Sequence, residues 1–344
     1  MIDQPNISTM RSSLDLTRTP LTLMHVPHTT LNLAAKLPPD EGMRLLALAQ
    51  ASLSQGTIRG YGWAAKRYLA WCDELGLVAA PATSETLHRY LIRRKEPTYF
   101  STAKFELQAI CKLHAARGYE SPYRPDIQLL MKGIARLSPP QEGKWPLSVL
   151  DIKAISDLID RDQNVVRGRR DRAMLLLGFA AALRRSELVG LEIDHLRFEP
   201  RGLTIHIVRS KTDPEGTGHY IAVPYAHTRQ YCPVRSLQAW LRALNASRGP
   251  VFRRVWQSGK IGAEKLSPQS FCSTIQRYAI RIGLDPSHFG AHSVRSGFCV
   301  SSLDAGASAE EIRRVTRHKS LKGLDPYLRH ASLFALNTTA LLGL

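Results

Sequence analysis

The chain has 344 residues, 44% of them hydrophobic, enough for two domains that each bury a core. Lys and Arg number 47 against 29 Asp and Glu, a formal net charge of +18. That excess points to a polyanionic partner and, without an amphipathic anchor for an acidic membrane, to nucleic acid.

Residues 1–40 are rich in Thr, Ser, Pro and Asn, show no sustained period, and are expected to form a mostly disordered arm. From 41 to 137 the pattern is helical. Pro39-Asp40-Glu41 has the character of a helix start. Ser54-x-x-Thr57 opens a second helix that runs to Cys72, with Tyr61, Ala64, Ala65, Tyr68, Leu69 and Cys72 at helical spacing. Arg59, Lys66 and Arg67 lie off that stripe. A basic helix face can lie in a major groove and reach phosphates, although a solvated surface helix has the same pattern. Further helices are read from Ser84 to Arg94, Ser101 to His114 and Asp126 to Leu137, and Arg93 and Arg94 belong to a local basic cluster. Short helices with short connections describe a small all-α domain, with Arg59, Lys66, Arg67, Arg93 and Arg94 as its candidate DNA contacts.

Residues 138–146, opening Ser138-Pro139-Pro140-Gln141-Glu142-Gly143-Lys144, exchange periodicity for proline, glycine and charge and read as a linker. The second domain, 147–330, begins with helices from Ser148 to Leu158 and Arg169 to Leu183. The latter is apolar nearly all round and belongs in a core. Gly202–Val208 and His219–Val223 alternate and read as paired strands joined by a polar hairpin loop. Helices resume at Pro233–Asn245, Ser267–Gly283, Ser293–Ala305 and Ser308–Thr316, and 331–344 reads as an apolar helix. The fold expected is mainly α with a small β-sheet: an all-α first domain and a mixed α/β second one.

The five cysteines form no C-x-x-C pair, so no zinc site or disulfide framework is indicated, and no metal or cofactor is expected. Their usage fits a reducing cytoplasm. No apolar run approaches the roughly 20 residues of a membrane span, and the N-terminus lacks the pattern of a signal peptide.

The second domain carries a set of residues suited to attack on a phosphodiester. Such an attack builds negative charge on the non-bridging oxygens, which preorganised donors stabilise. Guanidinium forks match those oxygens, and Arg184 and Arg295 supply two. Tyr327 is the candidate nucleophile. Its phenol is mostly protonated at neutral pH and needs local help, which His292 could give as proton acceptor. Lys211, in the hairpin loop, could protonate the leaving sugar oxygen, and His318 could donate to a non-bridging oxygen. Glu187, three residues after Arg184, could buttress the basic groups. In a chain with 11 tyrosines and 12 histidines any one of these alone is weak.

Their order carries more. Arg184-x-x-Glu187, a hairpin Lys211, His292-x-x-Arg295, His318 and Tyr327 nine residues later resemble the tyrosine recombinase (phage integrase) family over roughly residues 45–344. Leu183-Arg184-Arg185-Ser186-Glu187-Leu188 is similar to the family's first arginine motif and Ala291-His292-Ser293-Val294-Arg295 to its second. The resemblance implies a site-specific recombinase acting on double-stranded DNA with paired half-sites. It would cut through a 3′-phosphotyrosyl link, pass through a Holliday junction in a homo-tetramer, and need neither metal nor ATP. Accessory proteins that set direction fit this picture, as do a cytoplasmic, nucleoid-associated location and docking of 331–344 in a neighbouring protomer. Two departures stand out. The family's Leu-Gly-His is here Val315-Thr316-Arg317-His318, and Pro326 precedes Tyr327, so that Tyr327 would start a helix. A type IB topoisomerase-like enzyme and a catalytically inactive DNA-binding protein are the rival readings.

Overall fold

The computed structural model describes residues 23–93, 99–140, 143–208 and 217–325. The chain divides into two compact units, Met1–Gln141 and Glu142–Leu344.

The described part of the first unit is all helical: α1 (His28–Lys36), α2 (Pro39–Ala51), α3 (Gln55–Glu74), α4 (Ser84–Ile92), α5 (Phe100–Ala116) and α6 (Pro125–Leu137). Ser54 caps α3 by accepting from the Thr57 amide at 3.1 Å, and Thr83 does the same for α4 from Thr86. The apolar stripe of α3 turns Ala65, Tyr68 and Cys72 into a core shared with Leu87, Tyr90, Leu107, Ile110 and Ile127. From residue 23 to residue 40 the chain is not irregular, as the composition of the segment suggested. Leu23, Val26, Leu31 and Ala34 close a small apolar cluster with Leu46, and α1 forms within it. Sequence reading misses α1 for a physical reason. It begins after Pro27 with no side-chain cap and buries only Leu31 and Ala34, so neither a start signal nor a period shows.

The second unit is built around α8 (Val165–Ala180), which follows α7 (Val149–Asp160). A reciprocal capping box starts α7: Ser148 Oγ accepts from the Asp151 amide and Asp151 accepts from the Ser148 amide. Met174, Leu175, Leu176 and Leu177 are buried on consecutive positions, as a helix with partners on every side requires. The short α9 (Arg185–Val189) leads to a three-stranded antiparallel sheet, β1 (Leu196–Glu199), β2 (Gly202–Ile207) and β3 (His219–Pro224), in the order β1-β2-β3. Leu203 pairs with Val223 and Ile205 with Ile221, so one face of the hairpin is apolar and sits in the core. Then come α10 (Pro233–Leu244), the hairpin β4 (Arg253–Val255) and β5 (Ile261–Lys265), α11 (Pro268–Arg281), α12 (Ala291–Asp304) and α13 (Ala309–Thr316). The expected class holds: mainly helical, with small antiparallel sheets. The sequence pattern misses β1, β4 and β5, which are short and half-exposed and so lack a readable alternation.

Two devices fix the helices that carry the site. Asp171 of α8 is buried and receives Arg170 (2.6 Å), Arg277 of α11 (2.6 Å) and the Tyr278 hydroxyl (3.0 Å), which locks α8 to α11. The second is a close backbone approach on α12. The Leu147 amide donates to the Ser293 carbonyl at 3.0 Å, and a Cβ on Gly297 would meet the Leu147 carbonyl oxygen at 1.9 Å. Only glycine lets this strap lie on the helix. Gly297→Ala is therefore expected to destabilise the protein by about 1–3 kcal/mol, the usual scale of overpacking; chemical denaturation of the two proteins measures it.

Candidate active site

Three elements converge in the second unit. The first is the turn from α8 into α9. Ala182 takes a left-handed conformation (φ 45°), which ends α8 abruptly, and Arg184 becomes the N-cap residue of α9. Glu187, on the first turn of α9, accepts from the Arg184 backbone amide at 3.0 Å and from its Nη1 at 2.7 Å. The neighbouring Arg185 is exposed. The second element is the first turn of α12, which carries His292 and, one turn on, Arg295. The third is the C-terminus of α13, where Thr316, Arg317 and His318 follow one another.

Arg295 joins the three. It is 2% exposed and donates to the Ala182 carbonyl from Nη1 and to the Thr316 carbonyl from Nη2. The same Nη2 lies 3.5 Å from His318 Nε2. Thr316 Oγ1 donates to the Ile312 carbonyl and sits 2.7 Å from His318 Nδ1, which orients the ring. Burial, with Arg184 and Arg317 nearby, pushes the Arg295 pKa down to about 10, which leaves it cationic at neutral pH. Burial and then the charges of Arg295 and Arg184 push His318 down to about 4. His292 is lowered by the same three causes, surrounding protein first, although it keeps an exposed edge. Both imidazoles are therefore neutral at pH 7.

Arg317 is the residue the sequence reading noted but did not place. It also takes a left-handed conformation (φ 57°), and its Nη2 reaches Glu187 Oε2 at 2.7 Å. The Glu187 side chain is 1% exposed and holds Arg184 on one oxygen and Arg317 on the other. Burial alone would raise the Glu187 carboxyl; Arg317 and Arg184 overcome it and hold the pKa below its usual value. The only signal in the sequence was an arginine where a small residue was expected.

Of the residues singled out from sequence, Arg184, Glu187, His292, Arg295 and His318 belong to this one site. Lys211 and Tyr327 lie outside the described residues, as do Arg94, Pro326 and the segment 331–344 that was expected to be helical. In the first unit, Arg59 and Lys66 are exposed on α3. Arg67 and Arg93 instead pair with the buried carboxylate of Glu106, at 3.1 and 3.2 Å, and lie over the Trp63 and Tyr90 rings. Part of their charge is thus committed to the unit's own fold. No group of His, Cys, Asp and Glu that could hold a metal ion occurs among the described residues.

The sequence profile of the phage integrase family matches residues 148–333. The chain belongs to that family. It is a tyrosine-type site-specific recombinase. An integrase/recombinase xerD homolog of Selenomonas ruminantium is 32% identical over 310 residues, 88% of this chain and 90% of that one. Tyrosine recombinase XerD of Xanthomonas axonopodis pv. citri is 31% identical over 169 residues, 48% of this chain and 52% of the other. Among solved structures, the XerH recombinase bound to palindromic difH, a post-cleavage complex, matches with TM-score 0.63 at 13% identity over 93% of this chain and 91% of that one. The Tn1549 transposon integrase in complex with transposon right-end DNA matches with TM-score 0.56 at 18% identity, over 88% and 95% of the two chains. At these identities the structures bear on the recombinase's fold alone.

The Glu187 cluster gives a pH signature. A carboxylate whose folded pKa is depressed contributes stability that is complete above its unfolded pKa, about 4.3, and is lost as pH falls through the folded value. Glu187→Gln is expected to cost about 3–5 kcal/mol at neutral pH, as for breaking a buried ion pair, and to flatten the acid limb of stability below about pH 4. Denaturation midpoints of both proteins between neutral and acid pH measure this.

Proposed function

We propose that this recombinase binds double-stranded DNA at paired half-sites and cuts and rejoins it through a tyrosine–DNA ester. The observation that carries the reading is the convergence on Arg295, whose guanidinium joins the turn before Arg184 to the end of α13 and lies beside His318. Arg184 and Arg295 bind the non-bridging oxygens of the scissile phosphate and stabilise the charge that develops there. Once the phosphate charge allows a proton on Nε2, His318 donates to one of those oxygens. Tyr327 attacks phosphorus, with neutral His292 accepting or orienting its proton. Lys211 protonates the departing 5′ oxygen.

The step exchanges one phosphate ester for another. A P–O bond to tyrosine forms as the P–O bond to the 5′ oxygen breaks, which leaves a 3′-phosphotyrosyl link and a free 5′-hydroxyl. A 5′-hydroxyl from the partner duplex reverses it. Ester energy is retained, so ATP has no role, and the guanidiniums and Lys211 supply the charge and proton that a metal would otherwise provide. Two such exchanges pass through a Holliday junction in a homo-tetramer, with the apolar 331–344 segment docked in a neighbouring protomer. Arg59 and Lys66 contact DNA phosphates from the first unit.

The test is covalent capture. The protein is expressed beside its native DNA, the lysate is denatured, and DNA that stays attached to protein is recovered and sequenced, with Tyr327→Phe run in parallel. Adducts that vanish in the variant, with DNA affinity kept, are the expected outcome. Adducts that persist would place the nucleophile elsewhere. Wild-type protein that binds DNA and yields no adduct, even on a nicked suicide substrate, would favour an inactive DNA-binding protein. On the captured duplex, Arg184→Ala is expected to slow adduct formation by about 10²–10³, and Lys211→Ala to slow cleavage with binding largely retained. Single-turnover kinetics measure both.

A further inference from the structure

Arg317 holds a position that backbone physics reserves for other residues. It caps α13 in the left-handed region, where glycine or asparagine is the ordinary choice because a Cβ is strained there. Its side chain is 7% exposed, so a permanent charge is also taken out of water. Its Nη2 donates to Glu187. Nε and Nη1 of the same guanidinium are buried without a partner among the described residues. Strain, desolvation and unpaired donors all act against stability. Holding the fold therefore does not account for an arginine at this position.

The geometry shows what that work can be. Arg184 engages both Glu187 oxygens, Nη1 on one and its backbone amide on the other, and the carboxylate offsets the guanidinium charge. With Arg317 on the second oxygen, Glu187 is held from both sides. Three guanidiniums then stand against one carboxylate, and the cluster keeps a positive excess. As the residue before His318, Arg317 also ties the end of α13 to the start of α9, so the two segments that carry His318 and Arg184 share one ion pair.

We propose that Arg317 is a positioning residue of the cleavage site: through Glu187 it fixes the Arg184 guanidinium, and its own charge adds to the field that receives the scissile phosphate. This rests on the cleavage chemistry proposed above.

Two measurements test it. The first needs no DNA. Denaturation midpoints of the full chain are taken for Arg317→Met, Glu187→Gln and the double variant. Coupled residues give non-additive effects; additive effects would overturn the proposal. The second uses the duplex recovered by covalent capture, synthesised with either an ordinary scissile phosphodiester or a methylphosphonate, in which a methyl group replaces one non-bridging oxygen and removes the charge. Arg317→Gly, which also relieves the backbone strain, is compared with wild type on each. A role in offsetting phosphate charge predicts slowing of about tenfold or more on the phosphodiester, a clearly smaller defect on the methylphosphonate, and partial rescue by Arg317→Lys. Equal slowing on both substrates, or none on either, would overturn the proposal. Wild-type protein that forms no adduct on the phosphodiester would count against the cleavage chemistry instead, while the thermodynamic cycle still decides whether Arg317 and Glu187 act together.

Discussion

One buried carboxylate sets the terms for the rest of this site. Glu187 holds two guanidiniums, Arg184 from its own turn and Arg317 from 130 positions downstream, and it also accepts the backbone amide that starts α9. A lone carboxylate at 1% exposure would be protonated or excluded, since burial alone raises its pKa. Its ionisation depends on Arg184 and Arg317, and their placement depends on it. The motif Arg184-x-x-Glu187 is therefore more than a helix cap: it is half of an ion cluster whose other half is supplied by the end of α13.

The turns at both edges of the cluster are strained. Among the described residues, three non-glycine positions have positive φ, Ala182, Asn245 and Arg317, and two of them border the site. Each of those two adjoins a carbonyl that receives Arg295: Ala182 offers its own, and Arg317 follows Thr316. Backbone in sparsely populated regions costs of order 1–3 kcal/mol per residue and persists where the surroundings enforce it. Here the enforcing group is the Arg295 guanidinium, clamped between two chain reversals, with the strap over Gly297 and the Asp171 cluster holding α12 and α8 behind it.

Much of this was legible in sequence, for physical reasons that differ by element. The long helices showed because each buries a full stripe or carries a cap, as Ser54 and Ser148 do. The hairpin of β2 and β3 showed because one face is apolar at every second residue. The site residues showed through order and spacing, which survive when surrounding sequence drifts. What stayed hidden lacked such signals. The helix α1 has two buried positions and no cap, and β4 and β5 are short and mostly solvated. Arg67 and Arg93 looked like free surface charges because the buried Glu106 that binds both lies on another helix. Arg317 was visible only as a departure, since no local pattern reports that its partner stands 130 positions upstream.

The electrostatics also separate the duties of the two kinds of basic group. Burial first, and then the surrounding guanidinium charge, makes an imidazole lose its proton before any arginine does, and His318 falls to about 4. At neutral pH the permanent charge resides on arginine and the histidines are neutral hydrogen-bonding groups. On the proposed reading, a phosphodiester entering the site brings a negative charge to the centre of this field. Its charge opposes the share of the imidazole lowering that comes from Arg295 and Arg184, while burial, the larger cause, stays in place. The proton affinity of His292 thus rises when substrate arrives, which is when an acceptor for a phenol proton is wanted. Arginine alone would leave no base, and histidine alone would leave too little fixed charge. The pairing of neutral imidazoles with a guanidinium cluster supplies both.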